Sequence, residues 1–199
     1  MSFLRLFPVV AFIITLSYGF MDDARWTSDE INKANTAKNT SYMDSTERAI
    51  VFYCNLARMY PKLFSQLEVK DYYGTTENPD EYKNSANRRS LMRELESMEP
   101  VPPLQPDSVM ALLADCFQKE LEKSGEVGHD RKKCSDDYMA ENCSFGKVTA
   151  RDVVLQLLID EGVPSLGHRK NILSKEYTRL GVAFGDHKKY RKCAVMDFK

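Results

Sequence analysis

Helical apolar stripes fill the middle of this chain, and only its C-terminal segment, from Arg179 onward, reads as strand; that order limits the fold more than any other feature. Asp44 or Ser45 can cap a helix in which Ile50, Cys54 and Ala57 recur at i, i+4 and i+7, joined by Val51 and Leu56. Pro61 disfavours helical backbone at Tyr60 and should end that helix there. A short helical piece is expected over residues 62–69, a polar loop over 70–84, and a further helix over 85–97 with Leu91, Met92 and Leu95. The prolines of residues 100–106 force an extended connection. Asp107 or Ser108 then caps a helix over 109–123, with Met110, Leu113, Ala114, Phe117 and Leu121 as its buried stripe and Gly125 as a left-handed C-cap. Thr149, with Asp152 three residues on, opens another that carries Val153, Val154, Leu157 and Leu158 and stops at Gly162. Strands over 179–184 and 190–198 flank a turn at 185–189. Four or five helices with two clear strands make a mixed α+β domain.

The N-terminus sets the compartment. One base, Arg5, precedes an apolar run over residues 6–16 and the small residues Ser17 and Gly19, the pattern of a secretory signal peptide cleaved near Gly19 and too short for a membrane span. Nothing later is apolar for long enough to cross a bilayer. Residues 21–43 are polar without a sustained period and read as a mobile leader or a loose wrap on the surface. The expected organisation is therefore a signal peptide over 1–19, a polar leader over 20–44 and one domain over 45–199. The chain has 28 Lys and Arg against 29 Asp and Glu, so losing Arg5 leaves a net charge of −2 and no electrostatic reason to bind nucleic acid. Five cysteines in an exported chain imply disulfides with one thiol left over. Cys134 and Cys143 bracket a short loop and can pair; Cys193 is an alternative partner for Cys143 or Cys116, and Cys54 looks like the odd, buried one. No Cys-x-x-Cys pair exists, which removes a zinc-knuckle reading.

The residues with chemistry to offer lie between Gly128 and Leu173. His129 and His168 each follow a glycine; between them stand Glu141 and the acidic pair Asp160 and Glu161. Two imidazoles with one or two carboxylates suit Zn²⁺ or another divalent ion, with a water position left open. A spare glutamate, Glu141, could then serve as general base. Blander roles compete: Glu141 can cap backbone amides, Arg169 is expected to pair with an acid on the preceding helix, and His187, in a turn with two lysines, is expected to face solvent.

Taken together, Gly128-His129, Glu141-Asn142, the apolar helix ending at Asp160-Glu161, Gly167-His168-Arg169 with Asn171-Ile172-Leu173, and residues 179–184 resemble the CAP superfamily, which contains the cysteine-rich secretory proteins, antigen 5 and plant pathogenesis-related proteins. The resemblance is nearer to the bacterial-type branch, which carries a Gly-His-Arg-x-Asn-Ile-Leu string. It implies a three-layer α-β-α sandwich around a small antiparallel sheet, whose missing strand would come from the region of residues 137–141. It also implies an open cleft lined by two histidines and two acids able to hold a divalent metal. Carried over by position, His129, Glu141 and His168 take three of those places and Glu161 the fourth. Leu158 stands where the family usually has an aromatic. A one-residue step on a helix turns a side chain by about 100°, so of Asp160 and Glu161 only one is expected to face the cleft.

The favoured functional expectation is a monomeric protein, secreted or periplasmic, that binds a small ligand, lipid, peptide or extracellular protein in that cleft without turnover. The alternative is a metal-dependent extracellular hydrolase using the same residues. No His-Glu-x-x-His string supports a metalloprotease, and no serine has a nucleophile-elbow context.

Overall fold

The computed structural model describes residues 26–199, so the signal-peptide reading and the start of the leader lie outside the described residues. The remainder of the leader is packed. Helix α1 (Ser28–Ala34) is closed by a Thr27–Glu30 capping box, and Ala34, Ala37 and Met43 are buried against the domain. Asn55, at the centre of α2 (Ser45–Met59), explains why: its Nδ2 donates to the carbonyls of Ala34 and Leu104 and to Thr36 Oγ1, while its Oδ1 accepts from Leu104 N. One buried amide thus ties the leader and the proline-rich connection to the same helix.

The expected helices are present. After α2 the chain forms α3 (Pro61–Phe64), continued by a π-helical turn at Ser65–Val69, then α4 (Ala86–Ser97), α5 (Ser108–Ser124) and α6 (Ala150–Ile159). Their N-caps are Asp44 for α2, Ser85 for α4, Asp107 for α5 and Thr149 for α6, each accepting from backbone N–H groups of the first turn. Helix α7 (Gly167–Leu173) covers the Gly-His-Arg string, which periodicity alone did not mark as helical. Arg58 locks its far end: this buried guanidinium donates to the carbonyls of Pro102, Ile172, Ser174 and Tyr177.

Four strands form the sheet: β1 (Gln105–Pro106), β2 (Ala140–Phe145), β3 (Arg179–His187) and β4 (Arg191–Phe198), in the order β1-β3-β4-β2. Three are antiparallel, but β1 runs parallel to β3, so the sheet is mixed rather than wholly antiparallel. The β3–β4 turn also falls later than expected, after His187.

Side chains alternate across the sheet with period two. Leu180, Val182, Ala194, Met196 and Phe198 join the large core with α1, α2, α4 and α6, whereas Ala183, Cys193, Val195 and Cys143 join a smaller core with Ala114, Phe117 and Leu121 of α5. Helices therefore cover both faces, giving the α-β-α sandwich of an α+β fold. Close approach of α5 requires glycine beneath it: a Cβ on Gly181 would lie 2.0 Å from Ala111 N.

The cysteines pair otherwise than the two expected bridges. Cys116 of α5 is bonded to Cys134, while Cys54, Cys143 and Cys193 are buried thiols. Cys143 lies on β2 facing the α5 core, so closeness in sequence to Cys134 did not make it the partner.

Candidate functional site

β2 is the edge strand of the sheet on this side, and its alternation divides the site between two faces. Glu141 and Cys143 point to the α5 face; Asn142 and Ser144 point to α6 and α7, where they meet the His168 carbonyl and Gln156.

His129 arrives on the α5 side, in the loop that leaves α5 at left-handed Gly125 and bends again at Gly128 (φ 121°). Its Nδ1 lies 2.6 Å from Glu141 Oε1. That hydrogen bond raises the His129 imidazole above its ordinary value, with burial pulling the other way. The other Glu141 oxygen belongs to Arg131, whose Nε donates to Oε2 at 2.9 Å and whose Nη2 donates to both oxygens of Asp197 at 2.6 and 2.8 Å. Glu141 and Asp197 are direct cross-strand partners, a placement in which two carboxylates repel; Arg131 lies between them, its guanidinium 4.7 Å from the Phe117 ring centroid and 4.4 Å from that of Tyr138. Burial pushes the Asp197 carboxyl up to about 7 against the pull of Arg131. Cys143 Sγ is 3.9 Å from His129 Nδ1, and burial pushes its thiol well above the ordinary value.

His168 comes from the opposite face. α6 ends at Ile159, and Asp160 turns into the left-handed region (φ 59°) as its C-cap. From there one carboxylate does three things: Oδ1 sits 2.7 Å from His168 Nδ1, and Oδ2 accepts from the backbone N–H of His168 at 3.0 Å and of Arg169 at 3.3 Å. Asn171 donates to Asn142 Oδ1, and Asn142 in turn holds the His168 carbonyl. Because Asp160 is not on the helix, the argument from a 100° helical step does not apply. Asp160 and Glu161 both line a cavity of about 210 Å³ with His168, Cys143 and Tyr82, and Glu161 accepts from the Ser85 hydroxyl.

The two rings meet past the free edge of β2 with centroids 6.1 Å apart and planes at 32°. Each Nδ1 faces a carboxylate, so Nε2 is the nitrogen left to a ligand on both rings. This is the arrangement in which carboxylates fix the tautomer of metal-binding histidines, and the donor set fits a divalent ion of the Zn²⁺ type. Glu141, expected as a ligand, has its oxygens on His129 and Arg131. A larger cavity of about 440 Å³ lies beside Cys116 and Cys134 and is lined by neither imidazole, whereas His168, Asp160 and Glu161 line the smaller one.

A family model described as the cysteine-rich secretory protein family, CAP, matches residues 55–198. The chain belongs to the CAP family. No curated protein matches it. The CAP match takes in both imidazoles, all the carboxylates that hold them and the whole sheet, and leaves α1 outside.

Two expectations for neighbouring residues are corrected. Arg169 is buried and reaches Glu94 of α4 at 3.1 Å, not an acid of the preceding helix; it also donates to the carbonyls of Asn87, Leu158 and Ile159. His187 is buried, not solvent-exposed: its Nε2 lies 2.8 Å from the Glu126 carbonyl and its Nδ1 accepts from the backbone N–H groups of Lys189 and Tyr190, so it shapes the turn. Sequence reasoning missed Arg131, Asp197 and Cys143. The available signal was an acid, Asp197, embedded in an apolar terminal strand, since a buried charge requires a partner.

Proposed function

We propose that this CAP protein is exported after removal of residues 1–19 and uses its cleft to bind a divalent metal ion, through which or beside which it holds an extracellular ligand without turning it over. His129 and His168 supply the metal donors; Glu141 and Asp160 orient them; Glu161, which lines the cavity beside His168, is the further acid. The observation that carries this reading is the matched pair of carboxylate-held imidazoles with centroids 6.1 Å apart. A Cys116–Cys134 bridge supports an oxidising compartment, and no helix among the described residues is long and apolar enough to cross a membrane. The bound ion would supply a Lewis-acidic point for a carboxylate, phosphate or carbonyl of the ligand.

Turnover is the weaker reading, because a hydrolase needs a free base beside the metal. Glu141 is committed to His129 and Arg131, and Glu161 accepts from Ser85. Calorimetric zinc titration of the wild type, His129→Ala and His168→Ala tests the proposal. At least a tenfold loss of affinity is expected in each variant, and equal affinity in all three would remove the pair from the site.

A further inference from the structure

The Nδ1 side of His129 carries a second group of donor atoms. Glu141 and Cys143 are two residues apart on β2 and so share a face, and His129 Nδ1 stands over both, 2.6 Å from Glu141 Oε1 and 3.9 Å from Cys143 Sγ. Among the described residues this is a set in which imidazole nitrogen, carboxylate oxygen and sulfur all fall within 4.8 Å of one another. Ligand atoms around a tetrahedral Zn²⁺, with bonds of about 2.0–2.3 Å, stand roughly 3–4 Å apart, so the 3.9 Å nitrogen–sulfur separation already fits and the 2.6 Å nitrogen–oxygen contact must open.

We propose that Cys143 gives this cleft a thiolate metal site, formed by His129 Nδ1, Glu141 and Cys143, that takes a thiophilic divalent ion such as Zn²⁺ or Cd²⁺. It takes His129 through Nδ1 and does not use His168; a neutral imidazole offers one lone pair, so this ion and the one on the proposed imidazole pair are alternatives. Cys143 is among the residues that line the cavity beside His168, although its side chain is buried toward α5. Binding displaces the Nδ1 proton of His129, leaving a neutral ring with its proton on Nε2, and releases the thiol proton to solvent, because a coordinated cysteine is held as thiolate. One thiolate and one carboxylate neutralise a divalent ion, and Arg131 keeps its second acid in Asp197. Sulfur in the donor set favours thiophilic ions over Mg²⁺ or Ca²⁺, which take oxygen ligands.

Co²⁺ is the probe, since a cobalt–thiolate bond gives a near-ultraviolet charge-transfer band that cobalt–imidazole lacks. The band is expected in the wild type, absent in Cys143→Ser and His129→Ala, and retained in Cys193→Ser and His168→Ala. No band in the wild type, or a band surviving in Cys143→Ser, would overturn the assignment, as would loss of the band in His168→Ala, which would put the sulfur on the imidazole-pair ion. Zinc affinity compared between Cys143→Ser and the double variant Cys143→Ser/His168→Ala reports separately on the imidazole pair, so either site can fail without the other.

Discussion

His129 and His168 reach the same place from opposite faces of the sheet, and they are held in different ways. His168 lies on a helix, with its side chain 20 % exposed, and Asp160 eight residues earlier closes one helix, starts the next and orients the ring. His129 lies on a loop, 53 % exposed, and its position depends on groups distant in the chain: Cys116 through the disulfide, and Asp197 through Arg131. Local backbone geometry thus builds one arm, and long-range ties build the other. Damage to the first should stay local, whereas damage to the second should spread into the sheet.

The largest effect should come from Arg131→Ala. It leaves Glu141 and Asp197 buried, opposed across two strands and without a cation, a situation that costs about 3–5 kcal/mol. Urea denaturation should show that loss, and an unchanged midpoint would mean that the two acids share a proton and need no arginine. Next is the disulfide. Cys116 and Cys134 are 18 residues apart, so replacing both by serine should cost about 3 kcal/mol in the chain-entropy model. Hydrogen exchange should rise most over residues 125–139, while residues 160–173 stay protected. Equal loosening of both arms would erase the distinction between them.

The same contrast explains what could be read from the sequence. α2, α5 and α6 were legible because caps, stripes and stops are local: Asp44, Asp107 and Thr149 start them, and Gly125 ends α5. The Gly167–Leu173 string around His168 was legible as a motif. The position of Asp160 was not, because a left-handed cap removes it from the helical period on which the choice of Glu161 rested. His187 was misread because exposure was inferred from its lysine neighbours, whereas its partner is the Glu126 carbonyl, 61 residues away in the chain. Arg131 carried no signal in the sequence; only the register that sets Glu141 opposite Asp197 shows what it balances. The disulfide pairing stayed open for a similar reason, since the face on which Cys143 lies depends on where β2 runs.

A smaller effect should separate the carboxylates. Glu141→Gln and Asp160→Asn each remove the charge behind one imidazole and leave its shape, and outer partners of this kind change metal affinity by about 10–100-fold. In zinc titrations Glu141→Gln should also lower thermal stability, because it unbalances Arg131, while Asp160→Asn should weaken binding with less effect on unfolding. If Asp160→Asn is the more destabilising of the two, its capping of α7 outweighs the Arg131 cluster, and the division between a local and a distributed arm is reversed.

The smallest effect is a pH dependence, and its sign follows from His129. Glu141 raises the imidazole above its unfolded value of about 6.5, so the charged ring stabilises the fold fully below that value, and the contribution disappears as pH rises through the higher folded value. With half the ring in solvent, screening limits it to about 0.2–1 kcal/mol. Unfolding of the wild type and His129→Ala, followed from about pH 5 to about pH 9, should therefore give a stability difference that is largest at the acid end and shrinks toward the alkaline end. Any titration of Asp197 common to both proteins cancels in that difference. A difference that grows with pH would mean that neutral, not protonated, His129 is the form the loop prefers, and the arm would then be held by Arg131 and the disulfide without help from the imidazole charge.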